Sequence, residues 1–293
     1  MARHIHLLPV LITLFGVGML SLMDAFMKEA ALAIGAYTAA WLRSVIGTGI
    51  ALPLWMVRGR RWPKRDVLRI HILRGLVSTF MALSFFYALT KLPIAEAIAI
   101  SFIAPLVALY LARVLLGEVI GPQAVSGSVL GFAGTLVIVG GKIGRSNFDA
   151  DVALGLAAIL FSALLYAYNF VLIRRQSQVA GPAEIATFHS GVSALVLGLG
   201  IPLLFVAPSP DILGAISAAS ILTVGGAMAL AWAYARAEAQ VLVPIEYSGF
   251  LWAALFGWLF FREAVTWTVI AGAALIVIGC LVATRRRPEQ SAS

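Results

Sequence analysis

One cysteine, four histidines and a small charged fraction bound what this 293-residue chain can be. Cys280 stands alone, so neither an intrachain disulfide nor a cysteine metal cluster can form. Two of the histidines, His4 and His6, sit at the very start, which leaves little imidazole for catalysis. There is no His-Glu-x-x-His pair, no Gly-x-Ser-x-Gly elbow and no glycine-rich loop ending in Lys-Ser or Lys-Thr. Zinc hydrolysis, serine acyl transfer and ATP hydrolysis therefore lack their usual groups, and no catalytic residue, metal ligand or cofactor site is expected. Charged residues make up only 12% of the chain and hydrophobic ones 61%, with a mean hydropathy of +0.99. Soluble domains run at about 25% charged and about 45–50% apolar. Disorder needs the opposite balance.

What the chain has instead is length of apolar run. A bilayer core takes about 20 apolar residues per helix. Ten such runs follow one another at 7–27, 34–57, 69–90, 94–116, 122–141, 152–174, 183–206, 212–235, 240–261 and 266–284. None alternates apolar with polar residues as a barrel strand must. The breaks carry Pro, Gly and charge, as at Gly121-Pro122, Gly181-Pro182 and Pro208-Ser209-Pro210-Asp211. The fold class read from this is an all-α integral membrane protein of ten transmembrane helices. The first run is too long for a secretory signal and is followed by Asp24, Lys28 and Glu29, so it reads as a retained span.

The formal charge of +8 gains meaning from its placement. If the N-terminus is cytoplasmic, fifteen of the 21 basic residues fall on cytoplasmic ends, including Arg58 to Arg74, Arg174, Arg175 and Arg285 to Arg287. Five fall outside, and Arg43 lies within a span. Cytoplasmic loops carry such an excess, so both termini are expected inside. The same distribution speaks against nucleic acid, which would need the charge gathered on one face.

The chain also repeats itself. An offset of 145 residues aligns Glu118 with Glu263, Gly127 with Gly272, Leu130 with Leu275 and Gly134 with Gly279. An offset of 146 places Arg43 on His189 and Ser44 on Ser190. Each half holds five spans, and five is odd, so the second half enters the membrane from the opposite side. The expected architecture is two inverted-topology repeats, 1–142 and 149–285, with a cytoplasmic tail at 286–293. Such repeats build many secondary transporters, with substrate near the midplane between them.

The same residues resemble a known family. Leu92-Pro93-x-Ala95-x-Ala97, Pro105-Leu106, Leu116-Gly117-Glu118, Gln123, Gly127 and Gly134 are similar to the EamA domain of the drug/metabolite transporter superfamily. A second copy keeps Phe261-Arg262-Glu263, Gly272 and Gly279. The second copy departs at Phe250, where the first has Pro105, with Pro244 earlier in its span. Overall similarity points to the YddG-like exporters of aromatic and other amino acids. The resemblance implies a bacterial inner-membrane secondary transporter that exports amino acids and related metabolites by alternating access. An importer or exchanger of a nucleobase, vitamin or amine is the second reading. An intramembrane enzyme and a non-transporting scaffold are more distant ones, because the ionisable groups are scattered singly.

Within the spans, an ionisable group costs about 2.5–3.5 kcal/mol on insertion scales and needs a partner or a task. Arg43 and His189 either bind a carboxylate or carry a proton, or else Arg43 pairs with Asp24 or snorkels and His189 is a satisfied core residue. Glu246 is a candidate for cation recognition or proton coupling, or an interfacial residue at a helix start. Tyr87, Tyr166, Trp232 and Tyr247, with Ser101, could line a cavity for amphipathic solutes, or simply pack. Ser84, Ser162 and Asn169 are further hydroxyl and amide candidates for a zwitterion. Glu118 and Glu263 lie at helix C-terminal ends, the wrong end for an anion, so each is expected to have a basic or backbone N–H partner and to brace the fold. Glu96 reads as a solvated or capping residue. Gly127, Gly131 and Gly134 allow close helix approach, within the half or at the face of a weak homodimer. The expected partners are a small-molecule substrate and the lipid bilayer.

The topology is tested by reporter fusions. Green fluorescent protein after Ser293 is expected to fluoresce and alkaline phosphatase there to be inactive. Phosphatase inserted between residues 142 and 147 is expected to be active.

Overall fold

The computed structural model describes residues 7–57, 62–104, 107, 110, 111, 122–143, 149–177, 179–234 and 248–284. Among them every regular element is helical. They are α1 (Leu7–Val57), α2 (Arg65–Leu89), α3 (Ile94–Ser101), α4 (Pro122–Ile143) and α5 (Ala150–Ser177). The remainder are α6 (Pro182–Gly198), α7 (Ile201–Leu204), α8 (Pro210–Tyr234), α9 (Gly249–Phe261) and α10 (Trp267–Thr284). Each of the ten apolar runs coincides with one of these helices in whole or in part.

α1 holds two runs. As one straight rod its 51 residues would reach about 77 Å at 1.5 Å per residue, far beyond a bilayer core of about 30 Å. Gly35, at φ 80° and ψ 147°, breaks it. That positive φ is open to glycine and strained for a side chain. The contacts on α8 show that the chain folds back there. Gly16 lies against Gly226 and Ala229, whereas Ser220 donates to the Arg43 carbonyl at 3.4 Å. Residues 220 and 226 are only about 9 Å apart along their helix, so 16 and 43 must lie on two adjacent legs. Sequence reading ended the first span at residue 27 and placed Lys28 outside it. In the structure Lys28 is helical and buried, because a carboxylate and a carbonyl meet its ammonium.

The helices are apolar on most faces, as a bundle in lipid requires. Leu195, Leu199 and Leu203 are 75, 83 and 89% exposed along one outward stripe. The buried core is rich in small residues such as Ala25, Ala30, Ala39, Ala97 and Ala99, which let helices approach closely. Four described helical segments, Leu7–Val57, Arg65–Leu89, Ala150–Asn169 and Pro210–Leu230, are long and apolar enough by themselves to cross a membrane.

A close backbone crossing joins α4 to α10. A methyl on Gly134 would stand 2.5 Å from the Gly272 carbonyl oxygen, and one on Gly279 would stand 2.5 Å from the Gly127 carbonyl oxygen. Gly141 meets Thr268 in the same run, so the two helices are antiparallel. The four glycines are the repeat-matched ones, and exchanging the halves turns one contact into the other. The glycine face therefore packs across the two halves, and not within one half as the safer sequence reading had it. The matching flat surface needed for a close crossing is supplied by the second copy.

Replacing Gly134 or Gly272 by alanine is expected to cost about 1–3 kcal/mol, because backbone on both sides must move. Gly140, on α4 with open space around it, is the control. Thermal denaturation in detergent should show a fall for the first two and little change for Gly140→Ala.

Candidate functional site

The bundle has two unlike ends. At one lie Gly35, the end of α2 and the α6–α7 break; at the other lie Trp62, the start of α2 and the end of α5. The Gly35 end holds an open cavity of about 610 Å³. Its walls are the residues around Gly35, Leu83, Ser84 and Tyr87 on α2, Ala158 on α5, and Leu204 with Val206. The lining is mostly apolar, with Tyr37, Ser84 and Tyr87 as its polar members. Tyr37 donates to the Leu197 carbonyl at 2.5 Å and accepts from the Gly200 N–H at 3.1 Å. Thr38 donates to the Leu204 carbonyl at 3.0 Å. These bonds fix the α6–α7 break as one wall of the cavity.

Two helical turns deeper from Gly35, a second pocket of about 30 Å³ has room for about one water. Arg43, Ser44, His189, Ser190, Ser220 and Thr223 line it. Arg43–Ser44 and His189–Ser190 are the pairs matched by the repeat, so equivalent points of the two halves meet here. Arg43 Nε and His189 Nδ1 are buried and have no hydrogen-bond partner among the described residues. The Arg43 guanidinium lies 5.2 Å from the Phe86 ring centroid and within electrostatic reach of Asp24. It does not snorkel: its group stays in the bundle interior.

Towards the Trp62 end a polar network replaces open space. His71, with no exposed surface, bonds Glu184 through Nε2 at 2.8 Å and meets the Gln176 amide through Nδ1. Arg74 donates to Asn169 Oδ1 at 3.1 Å and to Gln176 Oε1 at 2.7 Å. Ser78 also donates to Asn169, and Thr79 donates to Ser193. Phe188 stacks on His71 at 4.5 Å, with Trp55 and Trp62 against its other sides. Sequence reading counted Arg74 with the cytoplasmic charges and passed over His71. In the structure both are buried on α2. The signal was a polar stripe at 71, 74 and 78, a helical spacing that puts three groups on one face.

A third polar centre lies near the Gly35 end. Glu263 Oε1 pairs with Lys28, and Glu263 Oε2 accepts the Ile94 N–H at 2.8 Å. Lys28 also donates to the Leu92 carbonyl at 2.7 Å. Ile94 is the first residue of α3, so the carboxylate occupies a helix N-terminus, where unpaired N–H groups and the dipole favour an anion. The turn after α9 delivers it there. Arg262 takes a left-handed conformation (φ 56°, ψ 31°), and the Glu263 N–H returns to the Gly257 carbonyl, six residues back. Glu96, expected to be solvated or capping, is not solvated: it is 2% exposed in the first turn of α3.

Of the sequence candidates, Arg43 and His189 come together. Tyr87 lines the outer cavity, 37% exposed. Ser101 is half-buried and bonds back to Ala97 O on its own helix. Tyr166 is 37% exposed on α5, and Trp232 is half-buried near the end of α8. Glu246, Tyr247, Pro105 and Glu118 lie outside the described residues. Gly127, Gly134, Gly272 and Gly279 form the α4–α10 crossing. Of the additional polar candidates, Ser162 donates to the Met81 carbonyl and Asn169 belongs to the Arg74 network. No cluster of three metal-ligating side chains occurs among the described residues.

Comparison with known proteins adds the family. The EamA-like transporter family matches twice, at residues 7–140 and 153–285, and the chain belongs to it. Among its relatives is the pseudopaline exporter CntI of Pseudomonas aeruginosa, 30% identical over 275 residues, spanning 91% of this chain and 92% of that one. A riboflavin transporter of Brucella anthropi is 28% identical over 84% of this chain and 87% of its own length. An S-adenosylmethionine uptake transporter of Rickettsia prowazekii is 24% identical, covering 88% and 85%. A solved crystal structure shares the fold with a TM-score of 0.65 at 24% identity, over 94% of this chain and 96% of the other. The chain is a multi-pass bacterial inner-membrane protein and a member of a transporter family.

Removing one partner of a buried ion pair strands the other charge, at a cost of about 3–5 kcal/mol, whereas replacing both with apolar groups is far milder. Lys28→Ala and Glu263→Gln are each expected to lower the melting temperature sharply, and K28M/E263L to recover most of the loss. Thermal unfolding of the three purified variants checks this.

Proposed function

From membership of the EamA-like transporter family, we propose that this protein is a secondary transporter exporting amino acids, including aromatic and hydrophobic ones, and related metabolites across the inner membrane. The observation that carries the reading is the meeting of repeat-matched Arg43 and His189 in one small interior pocket, two helical turns below an open apolar cavity. When that pocket widens, a carboxylate entering it meets a guanidinium, which can hold both of its oxygens, and an imidazole nitrogen with no partner among the described residues. The apolar cavity walls with Tyr87 take the side chain of the substrate. Ser101, Tyr166, Trp232, Glu246 and Tyr247 are the remaining residues we assign to the pathway.

The cycle follows from the repeats. With both termini cytoplasmic, the cavity at the Gly35 end faces the periplasm and the Trp62 end faces the cytoplasm. Two halves of one architecture in opposite orientations can exchange conformations, so opening at the Trp62 end gives the cytoplasmic-facing form that loads substrate. The protein works as a monomer or weak homodimer, with no cofactor. A second reading, uptake or exchange of another small organic metabolite, is favoured by the names of the riboflavin and S-adenosylmethionine relatives.

Flux into proteoliposomes over a panel of amino acids, nucleobases and vitamins tests both readings. Amino acid flux is expected, and Arg43→Gln should insert normally yet transport at least tenfold less. Flux of vitamins alone would favour the second reading, and no flux of any solute would sink both.

A further inference from the structure

We infer that Arg74 is a second carboxylate-binding station, masked in this conformation by the side-chain amides of Asn169 and Gln176 and freed when the Trp62 end opens. The inference rests on the transport reading above and extends it to a residue outside the Arg43–His189 pocket.

The other Lys and Arg side chains held in the bundle interior among the described residues each have an acid near them: Lys28 has Glu263 and Arg43 has Asp24. Arg74 is 8% exposed and has none among the described residues. Its bonds go to two neutral oxygens, Asn169 Oδ1 and Gln176 Oε1. A guanidinium is costly to bury, and amide dipoles offset that cost less fully than a carboxylate does. A position used only for bracing would gain from an acid at 169 or 176. Neutral partners that release the guanidinium readily are what a site needs if it must exchange them for a ligand.

Position supports this. Arg74 is carried by α2, in the first half, while Asn169 and Gln176 are on α5, in the second. Separation of the halves at this end breaks both bonds together. Arg74 also shares its electrostatic reach with the proposed central site, since both Arg43 and Arg74 act through space on His189. The two guanidiniums give the interior a positive potential on either side of the His189 imidazole, and a carboxylate leaving Arg74 comes next under the influence of Arg43. The ligand class is therefore a small metabolite bearing at least one carboxylate, and neutral or purely cationic solutes gain nothing from this station.

The test uses the purified full chain in detergent, with L-phenylalanine, L-leucine, L-glutamate and succinate as probes and the corresponding amides as controls. The readouts are thermal stabilisation and, for compounds that move, proteoliposome flux from each face. Asn169→Asp supplies Arg74 with a permanent counter-ion. That variant is expected to melt at or above the wild-type temperature, yet lose at least tenfold in flux and most of its stabilisation by the carboxylates. Arg74→Gln should show the same loss of carboxylate response, and Arg74→Lys should restore part of it. If Arg74→Gln does not fold, Asn169→Asp and Arg74→Lys still decide the matter. Carboxylates that act equally on wild type and N169D would overturn the inference while leaving the transport reading intact. So would a wild type that no carboxylate stabilises but that moves other solutes. Absence of all flux by the wild type would instead remove the transport reading.

Discussion

Polar groups inside an apolar bundle must find one another, and among the described residues the bonds that reach beyond one helix run almost entirely across the two halves. Tyr37 reaches Leu197, Thr38 reaches Leu204, Lys28 reaches Glu263, and Ser162 reaches Met81. His71, Arg74, Ser78 and Thr79 all bond to partners in the second half. Among these long-range bonds of described residues, Lys28 to Leu92 is the one that stays within a half. Lipid supplies no hydrogen bonds, so these contacts hold the halves in register. They are also the contacts that any relative movement of the halves must exchange.

The contacts divide by position. At the Trp62 end, α2 is joined to α5 and α6 by buried side-chain bonds under an aromatic cap of Trp55, Trp62 and Phe188. At the Gly35 end α2 and α5 instead line the open cavity. The α4–α10 crossing is different in kind: backbone lies against backbone at four glycines, flanked by the apolar side chains of Leu130, Ile138 and Ile276. Packed surfaces of this sort are rigid, so in the proposed cycle the crossing would be the fixed point about which the polar contacts change. Arg43 and His189 lie between the closed and open ends.

What could be read from the sequence follows from the range of the forces involved. Apolar runs are local, and lipid forces them, so the helices are legible residue by residue. The glycine series is legible because it occurs twice, though its partner helix is not, since spacing within one copy does not say what lies opposite. Lys28 and Glu29 looked like a loop because the acid that buries Lys28 is 235 residues away. Arg74 looked like a loop charge for the same reason: its amide partners lie 95 and 102 residues further on. The pairing of Arg43 with His189 could be anticipated only through the repeat, which turns a distant contact into a comparison of two aligned positions.

The central claim is that the two ends open in alternation. Electron spin-echo distances test it most directly, with nitroxide labels on a Cys280→Ser background. One pair, at Ile72 and Val179, reports the Trp62 end; the other, at Leu32 and Leu204, reports the Gly35 end. All four positions are exposed. In lipid nanodiscs the account predicts two populations for each pair, with the first distance lengthening as the second shortens when a transported solute is added. Distances that stay single, or that lengthen together, would contradict it.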